Sequence, residues 1–259
     1  MHSMNNDLKS FLDEQYLVFN TPAFIKDDPI AVPHSFSKKE DIEISGFITA
    51  LLSWGQRKTI LNKSFELMEL MEMEPYRFLI QASEKDFERF LLFKHRTFNG
   101  EDCITILSIL KKIYQQKGGL EKIMFHGFEQ GGAYEAIENL STTFFQFSHL
   151  KRTEKHIARP SKGSAAKRIN MFLRWMVRDD GRGVDFGLWK KILPNQLICP
   201  LDLHSGKVAR HFGLLNRIQD DWKAATELTE TLKIFDADDP VKYDFALFGL
   251  GVNHAITVL

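Results

Sequence analysis

A chain of 259 residues with 44% hydrophobic and 26% charged side chains has ordinary globular composition and is long enough to bury a full core. Its formal net charge of zero argues against a protein that coats nucleic acid indiscriminately. Two isolated cysteines, Cys103 and Cys199, exclude a four-thiolate zinc site or iron–sulfur cluster within one chain.

The opening MHSMNNDLKS is polar and lacks the apolar core of a signal peptide. No stretch approaches the roughly 18 apolar residues of a membrane span. With the unpaired cysteines, this is the pattern of a cytoplasmic protein with no membrane partner. No Pro/Gly/Ser-rich linker divides the chain, so residues 4–259 read as a single unit with two lobes.

In chain order, residues 20–41, with Pro22, Pro29 and Pro33, read as a long irregular connection after a first helix. Apolar residues then recur at helical spacing in Ile44, Phe47, Ile48, Leu51 and Leu52, and again in Ile60, Leu61, Phe65, Leu67 and Met68. Further helices are expected at about 102–116 and 133–147, punctuated by Gly118, Gly119, Gly131 and Gly132. Ser164 suits an N-cap for a helix to about Val177, and Asp202 suits one for a helix to about Phe212. A helix of about 221–234, a DxDDP turn and a helix from about Val241 complete an all-α chain.

Charge is unevenly placed. Residues 151–191 hold twelve Lys/Arg against four acids, whereas residues 220–244 hold eight acids against three bases. Inside the basic tract, Lys167, Arg174 and Arg178 share one helix face, and the Gly163-Ser164 turn stands at its entrance between Lys162 and Arg168. Backbone N–H groups at such a turn can cradle a phosphate, although a basic helix face is more often simply solvated. Asp202 taken alone is more often a structural cap than a catalytic acid.

The segments KGSAAKRINMFLRWMVR (162–178) and PLDLHSGKVARHFGL (200–214) resemble the core of the helix-hairpin-helix DNA glycosylase superfamily. The hairpin and catalytic-helix region would span 160–212. Among named enzymes the sequence is most similar to the archaeal 8-oxoguanine DNA glycosylases. It also resembles a bacterial domain family of unknown function that shares AKRxNxFLRWMVR and DDPVKYDFALFGLG, and this likeness runs through most of the chain.

The resemblance implies a two-lobed helical fold and base-excision chemistry on damaged duplex DNA, with no cofactor and no metal. Lys167 takes the place of the catalytic lysine and Asp202 that of the essential aspartate. Asp244 and Phe248 fall where the base pocket lies. LLSWGQRKTILN (51–62) offers Gln56 as a wedge into the vacated stack, with Trp54, Trp175 and Trp189 as further aromatics. Lys162, Gly163, Ser164, Arg168, Arg174 and Arg178 become the phosphate contacts. Ala165 stands where a second hairpin glycine is usual, and the thirty-five residues from Lys167 to Asp202 require DDGRGVDFGLWKKILPN to loop out without separating the pair. His204 is read as a helix-end hydrogen-bonding residue. Two other readings stay open: a nucleic-acid-binding module without catalysis, and a helical interaction protein that works through its acidic faces.

Overall fold

The computed structural model describes residues 2–252, side chains from Asn6 onward. Its helices in chain order are α1 (His2–Phe19), α2 (Pro22–Ile25), α3 (Lys39–Leu52), α4 (Arg57–Leu70), α5 (Pro75–Gln81), α6 (Gly100–Gln116), α7 (Leu120–Phe145), α8 (Lys167–Val177), α9 (Leu203–His211), α10 (Trp222–Phe235) and α11 (Tyr243–Val252). The strands among these residues are a two-residue antiparallel pair, β1 (Lys94–His95) and β2 (Phe98–Asn99). The chain is therefore all-α in class.

It divides into two compact units. One consists of the described residues up to Phe24 together with those from Arg159 onward, and the other of Ile25–Ala158. The chain crosses between them twice, and neither crossing carries a linker-like composition.

The segment expected as an irregular connection, 20–41, is instead largely short helical turns. Besides α2 it forms 3-10 turns at Pro29–Ala31 and Pro33–Ser35. Each begins at a proline, whose fixed φ suits a first helical position and whose missing N–H has no partner to lose there. Asp28 caps the first by accepting from Ile30 N at 3.1 Å.

In the unit Ile25–Ala158, α3 is buried along nearly its whole length, with Ile44, Phe47, Leu51 and Leu52 in the core. Helix α6 opens with a capping box in which Asn99 and Asp102 each accept the other's backbone N–H. The helix expected from about 133 is the second part of α7, separated from a first part that begins at Leu120 by Gly131 and Gly132, where the backbone leaves helical geometry.

In the other unit, α11 is apolar on nearly every side because α1 packs on it from one direction and α9 from another. Trp175 and Trp189 are fully buried here, with Trp189 edge-on to Phe172 at 5.3 Å between centroids. They are core residues and not base-stacking platforms, which corrects the sequence expectation.

Candidate active site

Helix α8 begins at Lys167, two residues later than a Ser164 cap would place it, because the preceding turn takes a different path. Pro160–Lys162 form a 3-10 turn that ends at Gly163 with φ +81°. The Ser164 hydroxyl then accepts from Ala166 N at 3.1 Å, inside the turn and not within the helix. Ala166 occupies the N-cap position in left-handed geometry, φ +49°, and offers no side-chain cap. Asn170 stabilises this bend by donating to Ala165 O at 3.0 Å. Ser164 also forms an isolated antiparallel bridge with Asp221, tying the turn to the start of α10.

Asp202 sits at the N-cap of α9 and accepts from His204 N at 2.9 Å and Ser205 N at 3.0 Å through Oδ1. Its other oxygen, Oδ2, stands 3.5 Å from Lys167 Nζ, and the two side chains are 25% and 26% exposed. The intervening segment does not drift away. Phe186 N donates to Trp175 O at 2.8 Å and Trp189 N to Met176 O at 2.9 Å, so it is laced to the end of α8.

Phe248 on α11 lies beside this pair, with the Lys167 amine 5.7 Å from its ring centroid. One turn earlier, Asp244 is buried and ion-paired with Arg174. Burial pushes the Asp244 carboxyl up to about 6, against the pull of Arg174 and Lys167. Burial would also raise Asp202, but the Lys167 ammonium and the N–H groups of Ser205 and His204 outweigh it and hold that carboxyl below its ordinary value. Two carboxyls in one site are thus driven in opposite directions, a pattern suited to acid–base work.

Arg174 and Arg178 are not phosphate ligands. They are 4% and 1% exposed. Arg174 Nε donates to Asp185 at 3.3 Å, and Arg178 reaches Asp185 at 3.1 Å, Asp239 at 2.8 Å and Asp180 at 2.9 Å. Burial alone would weaken the Arg178 charge, but these acids together with Tyr16 reinforce it. Lys162 and Gly163 are exposed, and Ser164 and Arg168 half-buried. Burial holds the Arg168 guanidinium below its ordinary value.

Gln56 and Trp54 belong to the other unit, Ile25–Ala158. Gln56 is exposed at the N-cap of α4, just after Gly55 with φ +111°. One face of the half-buried Trp54 is covered by the Arg96 guanidinium at 4.6 Å. No residue pattern points to Arg96, whose approach depends on the tight β1–β2 turn, where it has φ +55°.

Residues 28–253 match the family described as Protein of unknown function (DUF2400). The chain belongs to this family. Lys167, Asp202, Asp244 and Phe248 all lie inside the span that defines DUF2400, whereas α1 lies outside it. No curated protein and no solved structure matches the chain. Among the described residues, no helix is long and apolar enough to cross a membrane, and no group of three or more His, Cys, Asp or Glu could hold a metal ion.

Proposed function

We propose that this protein is a DNA base-excision glycosylase with lyase activity, built on the helix-hairpin-helix plan and acting on an oxidised purine such as 8-oxoguanine in duplex DNA. The observation that carries the reading is the 3.5 Å approach of Lys167 Nζ to Asp202 Oδ2, with the carboxylate fixed at a helix N-terminus and the amine partly exposed.

The Lys167 ammonium gives up a proton to water while Asp202 stays ionised, and the amine lone pair attacks C1′ of the deoxyribose. The bond from C1′ to the base breaks, and the base leaves with the bonding pair and gains a proton. Ring opening gives a Schiff base on Lys167. Loss of a C2′ proton then expels the 3′ phosphate, nicking the strand. While positive charge develops on the sugar, Asp202 is the anion nearest the nucleophile. Phe248 offers an aromatic face beside the amine for the extruded base.

The test is strand nicking of duplexes that carry single lesions. The native chain releases an oxidised purine and cleaves at the resulting abasic site, and Lys167→Gln does neither. Absence of base release and nicking across a lesion panel overturns the reading.

The exposed Lys162-Gly163 turn supports a second reading, a binding module that contacts phosphates without catalysis. Salt-sensitive duplex binding without chemistry is its signature.

A further inference from the structure

Three helices meet at the Lys167–Asp202 gap. Lys167 stands at the start of α8, Asp202 at the start of α9, and α11 packs beneath both. Along α8, Arg174 follows Lys167 by seven residues, two turns on the same face and about 10 Å along the axis. Along α11, Phe248 follows Asp244 by one turn. Lys167 lies over Phe248, while Arg174 pairs with Asp244 and stacks on Phe245 at 4.1 Å. The later residue of α8 meets the earlier residue of α11, so the two helices run in opposite directions and are pinned at two points.

The other side of the gap rests on the same helix. At Gly251, an added Cβ would stand 3.0 Å from both the His204 Cβ and the His204 carbonyl oxygen. His204 is the second residue of α9, so backbone touches backbone at the helix end that Asp202 caps.

We propose that α11 sets the distance between Lys167 and Asp202, with the Arg174–Asp244 pair fixing α8 and Gly251 fixing the N-terminus of α9. Arg174, Asp244 and Gly251 are then positioning residues that need not touch substrate. A slip of α8 by one turn, about 5.4 Å, would carry the amine away from both Phe248 and Asp202. The buried pair resists this because it cannot be exchanged for water without leaving an uncompensated charge in the core.

The inference deepens the glycosylase reading and rests on it for its catalytic meaning, but its geometry is tested without DNA. The full chain is treated with formaldehyde and cyanoborohydride, and methylation of Lys167 is read by mass spectrometry against the exposed Lys190 in the same digest. In Asp244→Asn, in Gly251→Ala and in the apolar replacement Arg174→Met with Asp244→Leu, Lys167 is freed from Asp202 and labels at least threefold faster relative to Lys190. The core truncation Leu228→Ala, in the same unit, leaves the ratio at its native value. A ratio within about 1.5-fold of native in Gly251→Ala and in the double variant, both still unfolding cooperatively, overturns the proposal.

A second readout is borohydride trapping on an abasic duplex. Its rate falls at least tenfold in Gly251→Ala and Asp244→Asn, with duplex affinity unchanged. If Asp244→Asn instead loses affinity while its labelling ratio stays native, Asp244 contacts substrate and the positioning role is wrong. If the native chain itself fails to trap, the glycosylase reading falls while the labelling ratio still decides the positioning.

Discussion

Lys167 meets Asp202 at the carboxylate oxygen that caps nothing: Oδ2 faces the amine at 3.5 Å, while Oδ1 accepts the N–H groups of His204 and Ser205. One side chain therefore ends a helix and stands next to the candidate nucleophile. The two duties separate by substitution. Asp202→Asn retains a capping oxygen and should cost less than about 1 kcal/mol, whereas Asp202→Ala loses the cap and should cost roughly 1 kcal/mol more. Urea denaturation of the two variants checks the difference, and Schiff-base formation on DNA should be strongly reduced in both to a similar extent.

Arg178 predicts a larger loss. It is almost fully buried and holds Asp180, Asp185 and Asp239, so Arg178→Met leaves Asp180 and Asp239 without their cation and Asp185 with Arg174 alone. The expected destabilisation is about 3–5 kcal/mol. A loss under about 1 kcal/mol by urea denaturation would mean that the network is not intact in solution.

Asp244 predicts a pH dependence with a definite sign. Its folded carboxyl is raised to about 6 from an ordinary 3.8, so between those values the folded chain holds a proton that the unfolded chain releases. Its contribution to stability is complete below about pH 4, declines as pH rises through about 6, and is flat above. Asp202, whose carboxyl is lowered, acts oppositely and loses its contribution as pH falls below its ordinary range. Unfolding midpoints of native protein and Asp244→Asn should therefore shift in the variant's favour as pH rises from 4 to 6. A constant difference across that window would contradict the raised value.

Lys162 predicts a salt effect. It is exposed beside the Gly163 turn, and one phosphate contact contributes about 0.9 to the slope of log affinity against log salt. Lys162→Ala should flatten the slope by about that much. Arg174→Lys, a change within the buried network, should leave the slope unaltered.

Local chemistry was legible in the sequence where it acts locally. Asp202, the cap expected for α9, does cap it through its own following N–H groups, a few residues away. Ser164 offers the same chemistry but spends it inside a turn, because Ala166 takes left-handed geometry that nothing about alanine announces. Prolines 22, 29 and 33 read as breakers, although each opens a short helical turn. The periodicity of Lys167 and Arg174 puts both on one face of α8, and Arg178 follows as the extended residue that ends the helix. Periodicity could not tell that most of this face points inward, because the acids that neutralise it include Asp239 and Asp244, more than sixty residues away. Pairing of Lys167 with Asp202 across thirty-five residues was suggested by resemblance alone, since no spacing rule reaches that far.

Incubating the protein with a duplex carrying one 8-oxoguanine, adding borohydride and mapping any covalent adduct by peptide mass separates a lysine-based glycosylase from a binding module. An adduct is expected on Lys167, absent in Lys167→Gln and strongly reduced in Asp202→Asn. An adduct on a different lysine, or none with this lesion and with a preformed abasic site, would contradict the glycosylase reading.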